Sequence, residues 1–294
     1  MSTPTSLTLS DGVQRTEIKT DRGLFAALEA LPVPGVCERE TALLVPGYTG
    51  SKEDFLAVLD PLAAAGRRVV AVDMRGQYQT PGTPGGYTAA ALGADVAAIA
   101  RATGARHLLG HSYGGLVARE AMLDCLAEDG IKSFTLMSSG PAGLTGARAD
   151  ELRGMLGLLG ALDDEIVPEA LAIADLWKTH LEPQAVAAGV PDPIVAFLRE
   201  RMLGNDPAGL IAMARHLLTA ADRTDELARN AGVPILVIYG ENDNSWSPAV
   251  QEDMAMRLGA TRLCIPGAVH SPNVEAPATT ASALTAFWDA AEKA

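Results

Sequence analysis

Cysteine is scarce: Cys37, Cys125 and Cys264 are the only three in 294 residues, and they are far apart. No C-x-x-C or other metal spacing exists, so a zinc ribbon or a disulfide framework is excluded. So sparse and odd a count suggests a reducing compartment and thiols used as small hydrophobes. Basic charge is also in deficit, with 23 Lys and Arg against 36 Asp and Glu and a net charge of -13. That balance argues against nucleic acid or an anionic membrane surface as a partner. No stretch long enough to span a bilayer is apolar and free of charge. The opening MSTPTSLTLSDG has neither a basic nor an apolar leader segment. The expectation is a cytoplasmic globular protein that binds a small molecule, with its oligomeric state open.

What the chain does have is apolar content. At 48% hydrophobic, it can bury a large core as one domain or as a domain carrying an insertion. Short β-rich runs alternate with longer helical patterns. VQRTEIKTDRGLFAAL reads as two strands around an Asp-Arg-Gly turn. TALLVPG, RRVVAVDMRG, RHLLGHS and IKSFTLMSSG are strands separated by helical stretches such as DFLAVLDPLAAAG, which closes on glycine. Alternation of this kind gives a mostly parallel sheet covered on both faces, here with an antiparallel leading edge. It stops at 141 and resumes near 233 with VPILVIYG and TRLCIPG. Residues 141–232 are mostly helical pattern and more acidic than basic, which reads as an insertion between two core strands.

RHLLGHSYGGLVARE runs from apolar to small and polar and back. It places Gly110, Ser112 and Gly114 in a G-x-S-x-G pattern between a strand and a helix, which is the context of a nucleophile elbow. Ser112 is expected in a strained conformation that lifts its Oγ from the end of the sheet. A phosphate-cradling loop would need Gly-Lys-Ser/Thr where this chain has Gly-Gly-Leu. The spacing is also wrong for a dinucleotide fold.

A serine needs a base and an acid to orient it. Of the five histidines, His107 starts a strand, His111 should point away from the Ser112 hydroxyl, and His180 and His216 lie in the insertion. His270, in CIPGAVHSPNVEAP, follows the last strand and can reach Ser112 at the shared carboxyl edge of the sheet. VPILVIYGENDNSWSP supplies Asp243 just past a strand, with Glu241 as the alternative. The preceding strand, FTLMSSG, ends without a carboxylate.

The order Ser112, Asp243, His270, with GHSYGG, the VDMRG segment (Asp73, Arg75, Gly76), GENDNSWSP and GAVH, resembles the lid-bearing α/β-hydrolases over about residues 15 to 290. The resemblance implies an eight-stranded, mostly parallel sheet with helices on both faces. The core would be 1–140 and 233–294, and 141–232 a helical cap. It implies an oxyanion hole made of the Tyr48 and Tyr113 backbone N–H groups, and chemistry that needs no cofactor and no metal. The family usually carries His-Gly after the third strand; this chain has Pro46-Gly47-Tyr48, which keeps the main-chain donor and loses the imidazole.

A serine nucleophile does not fit the Asp-dependent dehalogenases and epoxide hydrolases of this fold, and the lipase HGGG loop is absent. Esters, thioesters, lactones and amides all remain, with an ester, thioester or lactone as the leading substrate. C–C cleavage, cofactor-free perhydrolysis and a receptor-like binding role stay as alternatives. Apart from Trp177 and Phe197, the apolar residues of the insertion are aliphatic, which suggests an adaptable pocket. Met155, Trp177, Met213 and, beyond the insertion, Trp246 are its candidate lining residues.

Overall fold

The structure, a computed structural model, describes residues 2–126, 129–161 and 170–293. Positions 127–128 of the expected GLVAREAMLDCLAEDG helix and 162–169 of the expected insertion lie outside the described residues, as do the end positions 1 and 294 of the expected core. The chain opens with β1 (Val13–Thr20) and β2 (Gly23–Ala30), which pair antiparallel around Asp21 and Arg22 with Thr20 opposite Gly23. There follow β3 (Arg39–Val45), a 3₁₀ turn at Lys52–Phe55, α1 (Leu56–Ala64), β4 (Arg67–Val72), α2 (Ala89–Thr103), β5 (His107–His111), α3 (Tyr113–Asp124) and β6 (Ser133–Met137). Between β6 and the next strand come α4 (Gly146–Leu158), α5 (Ala170–Leu176), a π turn at Trp177–Leu181, α6 (Glu182–Ala187), α7 (Asp192–Leu203), α8 (Pro207–Thr219) and α9 (Thr224–Asn230). The chain ends with β7 (Ile235–Gly240), α10 (Pro248–Leu258), β8 (Thr261–Ile265), α11 (Pro272–Glu275) and α12 (Pro277–Ala291).

The strands form one sheet in the order β1-β2-β4-β3-β5-β6-β7-β8. β2 meets β4 antiparallel, and β3 through β8 run parallel. Strand periodicity explains the two cores. Leu43, Val45 and Leu108 face a layer with Val96 of α2 and Leu116 of α3. Their alternates Ala42, Leu44 and Leu109 face Leu59 of α1 and Leu284 and Trp288 of α12. With both faces covered, the central strands are apolar at every position rather than at every second one.

Local chemistry fixes the helix ends. Thr88 caps α2 by accepting from the Ala91 N–H, and Gly104 ends it at φ 67°. The Arg75 of the VDMRG segment donates to both oxygens of Asp95 on α2 at 2.6 Å. Fully buried Arg67 bonds Asp289 and Glu292 at the end of α12, and Glu292 is also 3.1 Å from His107 Nε2.

Two sequence expectations need correction. Cys37 and Cys264 are exposed, so only the partly buried Cys125 packs against the core. Cys264 lies on the edge strand β8, where apolar neighbours in sequence do not guarantee a covered face. Within the segment 141–232, α9 packs on α3 and α10 of the core layer, whereas α4 packs with α8, and α7 with α5 and α6. The last helix of that segment therefore sits with the sheet. Among the described residues, no helix is long and apolar enough to cross a membrane.

Candidate active site

Ser112 sits between β5 and α3 at φ 54° and ψ -121°, in the left-handed half of backbone space. The turn is possible because its neighbours lack side chains. A Cβ at Gly110 would lie 2.3 Å from the Gly114 carbonyl oxygen, and one at Gly114 would lie 2.3 Å from that of Pro46. Ser112 N–H donates to the Met137 carbonyl at 2.8 Å, and Ser139 Oγ donates to the Ser112 carbonyl at 2.8 Å. The strained residue is thus held from both sides by the β6 end.

His270 lies beyond β8, and Asp243 beyond β7. Ser112 Oγ is 2.9 Å from His270 Nε2, and His270 Nδ1 is 3.0 Å from Asp243 Oδ1. An ionised carboxylate only accepts, so Nδ1 carries the proton and Nε2 accepts from the Ser112 hydroxyl. Burial alone would raise the Asp243 carboxyl. Hydrogen bonding and charge from His270, helped by the Ser245 amide and Gln251, win and hold it below the ordinary range. Asp243 is therefore charged at neutral pH. The alternative acid, Glu241, is exposed and accepts from the Gly267 N–H at 2.9 Å, so it caps the turn before His270.

Two residues that pattern reading missed hold these groups. Gln251 of α10 is fully buried and donates from Nε2 to Asp243 Oδ2 at 3.0 Å and to the Trp246 carbonyl at 2.8 Å. His111 donates from Nε2 to the His270 carbonyl at 2.8 Å, its ring 5.3 Å from that of His270. Burial pushes the His111 imidazole down to about 3, so it is neutral. Its ring borders the same cavity as Ser112, although sequence position alone turns it away. A neutral amide eight residues past an acid leaves no signal in sequence, and a histidine beside a serine invites a catalytic reading instead.

Tyr113 is the first residue of α3, so its N–H has no intrahelical acceptor. Across from it, the Pro46-Gly47-Tyr48 loop approaches so closely that a Cβ at Gly47 would lie 3.0 Å from Ser112 Cβ. The Tyr48 and Tyr113 main chains thus flank Ser112 from the ends of two adjacent strands. Helix α3 also directs its positive end at this spot.

A cavity of about 70 Å³ over Ser112 is bordered by Gly47, Tyr48, His111, Trp246 and His270. Tyr48, Thr49, Leu144, Arg148 and Leu217 border both it and a larger cavity of about 840 Å³. The larger cavity is walled mostly by Leu152, Met155, Leu158, Leu176, Leu181 and Met202, with Glu151, His180 and Gln184 also on its wall. Of the expected lining residues, Met155 and Trp246 are in place. Trp246 lies 6.4 Å ring to ring from His270, and its indole N–H donates to the Ala142 carbonyl at 3.0 Å. Trp177 and Met213 are not in place: both are buried in the packed core and border neither cavity. Helical periodicity marks an inward face without saying whether that face meets a void or another helix. Among the described residues, no group of three His, Cys, Asp or Glu could hold a metal ion.

This chain belongs to the Alpha/beta hydrolase family, whose model matches residues 42–283. A provisional carbamate hydrolase, RutD of Variovorax paradoxus strain S110, is 40% identical over 95 residues, 31% of this chain and 36% of its own length. The dihydrolipoyllysine-residue acetyltransferase component of the acetoin cleaving system of Cupriavidus necator is 28% identical over 242 residues, 80% of this chain and 60% of its own length. The chain thus spans less than two thirds of the length of both of these curated relatives, about one third of one and three fifths of the other. A hydrolase structure from Pseudomonas aeruginosa PA01 superposes with a TM-score of 0.68 at 26% identity, covering 95% of this chain and 99% of that one.

Proposed function

We propose that this protein is a serine hydrolase that cleaves an ester, thioester or lactone of a small, largely apolar substrate through an acyl-enzyme on Ser112. The observation that carries this reading is the unbroken hydrogen-bonded line Ser112–His270–Asp243, whose Ser112 and His270 border a small cavity that shares Tyr48, Leu144 and Leu217 with the larger one. In the first half-reaction, His270 Nε2 takes the Ser112 hydroxyl proton as Oγ bonds to the substrate carbonyl carbon. The resulting oxyanion is held by the Tyr48 and Tyr113 N–H groups. The charged imidazole, paired with Asp243, returns the proton to the leaving oxygen or sulfur as its bond to carbon breaks. Water then attacks the acyl-serine by the same route, and the acid leaves.

Helices α4 to α8 act as the cap in this reading, and the larger cavity takes the acyl or alkyl portion. The relatives' names, a carbamate hydrolase and an acetyltransferase, both concern carbonyl groups attached to a heteroatom, which supports the same class of reaction. The test is turnover of p-nitrophenyl esters of increasing chain length, with fluorophosphonate labelling of Ser112. Ser112→Ala should lower kcat by several orders of magnitude and leave the binding of a substrate-like ligand little changed. Retention of most of the wild-type rate would place the chemistry elsewhere. A labelled but non-turning-over wild type would instead indicate a ligand-binding protein.

A further inference from the structure

The loop that carries Tyr48 has no polar side chain of its own at its base. Pro46 offers neither an N–H nor a hydrogen-bonding side chain. Something else must fix the peptide that joins Gly47 to Tyr48, because that single plane carries both the Gly47 carbonyl and the Tyr48 N–H.

Gln77 lies in the turn after β4 and is 1% exposed. Its Nε2 donates to the Gly47 carbonyl at 2.9 Å, and its Oε1 accepts from the Met74 N–H at 3.2 Å. Those two partners fix which way the amide faces, since a flipped amide would set donor against donor and acceptor against acceptor. The Gly50 N–H adds a second donor to the Gly47 carbonyl at 3.1 Å. In a planar trans peptide the N–H points opposite to the C=O. Clamping the carbonyl away from the cavity therefore aims the Tyr48 N–H at the Ser112 side, where Gly47 already abuts the serine. A donor on the carbonyl also polarises the amide and strengthens its N–H.

We infer that Gln77 is the positioning residue for the Tyr48 oxyanion donor. It acts through the Gly47–Tyr48 peptide rather than on the substrate, and it supplies from β4 the support that Pro46 cannot give from β3. The inference rests on the serine-hydrolase reading above. It predicts a defect confined to the tetrahedral species, because a ground-state carbonyl depends less on that N–H than an oxyanion does.

The test compares wild type, Gln77→Met and Gln77→Glu on p-nitrophenyl butyrate, with active sites counted by fluorophosphonate titration. Met keeps the side-chain length without a donor. Glu keeps the acceptor for Met74 and replaces the donor with an oxygen, which covers the case in which Gln77→Met does not fold. Per titrated site, kcat should fall about 10- to 100-fold while KM stays within about twofold. The inhibition constant of a trifluoromethyl ketone, which forms a tetrahedral adduct on the serine, should rise by the same factor as kcat falls. A kcat per site within about twofold of wild type in either folded variant overturns the inference. So does an equal weakening of the ketone and of a simple carboxylic acid product. If the wild type neither turns over esters nor takes the phosphonate, the hydrolase reading falls and Gln77's role falls with it. An active wild type with an indifferent Gln77 removes Gln77 alone.

Discussion

His270 bonds Ser112 Oγ with one nitrogen and Asp243 with the other, so the proton that fixes its tautomer is also the one Asp243 holds. Asp243→Asn would keep the shape and present an N–H or a weaker acceptor to Nδ1. The imidazole would then favour the tautomer that cannot accept from Ser112. A drop in kcat of about 10⁴ is expected, with KM little changed, measured by steady-state kinetics on the best ester. Gln251 acts one step further out by holding Asp243 Oδ2. Gln251→Leu leaves that oxygen without this bond and frees the carboxylate to turn. Here a loss of about tenfold in kcat is expected, together with a lower Tm from the unpaired buried oxygen. A change in Tm alone would mean that Gln251 serves packing and not orientation.

At the scale of elements, the elbow depends on how closely α3 enters against β3 and β5. Gly114→Ala pushes a methyl group to within 2.3 Å of the Pro46 carbonyl oxygen, which is main chain and cannot swing aside. We expect a loss of at least about 3 kcal/mol in a denaturant melt, or no folded protein. Gly104→Ala, at the solvent end of α2 with nothing within 4 Å, should cost less, through its positive φ alone. Much of this level was legible in advance. Strands such as TALLV and ILVIYG are short, apolar and followed or closed by proline or glycine, and Ser112, Asp243 and His270 each come shortly after the end of a strand. Packing between elements was less legible. Trp177 and Met213 carry the same inward-facing signal as Met155, and only the placement of neighbouring helices decides which of them meets a void. The attachment of α9 to α3 and α10 was hidden for the same reason: seven residues of helical pattern look alike on a cap or on a core. Gln77 and Gln251 left no trace, because an uncharged amide gains its role only from partners far away in sequence.

Across the whole molecule, buried titratable groups set the response to acid. Burial is the main cause that pushes His107 down to about 4 and His111 down to about 3. An unfolded chain would protonate both near 6.5. Between pH 6.5 and about 4 the unfolded state therefore binds protons that the folded state refuses, and stability falls as pH falls. The slope is at most about 1.4 kcal/mol per pH unit for each histidine. Asp73 opposes this. Burial raises it to about 6 despite the Lys52 ammonium 2.8 Å away, so the folded state takes up that proton first, and acid between about 6 and the unfolded value near 3.8 stabilises. Burial holds His216 down as well and pushes Asp54 up as well, so three histidines stand against two aspartates, and Tm should decline between pH 7 and pH 5. His107→Gln should flatten that decline, and an unchanged slope would show that His107 is not among its causes.

The backbone at Ser112 also bears on how this protein could be made more robust. A non-glycine residue at φ 54° and ψ -121° holds about 1–3 kcal/mol against folding. Ser112→Ala keeps the Cβ and with it that load; Ser112→Gly sheds it, at about 0.5–1 kcal/mol of added chain entropy. The glycine variant should therefore melt above the alanine variant, although both should lose the proposed activity, which differential scanning calorimetry and an ester assay would register. Screens that reward thermal resistance alone would drift toward glycine at 112 and discard catalysis on the way. Any search for hardier versions of this protein must hold that position fixed and seek its gains at exposed sites such as Leu24, Val186 and Met256, which border neither cavity.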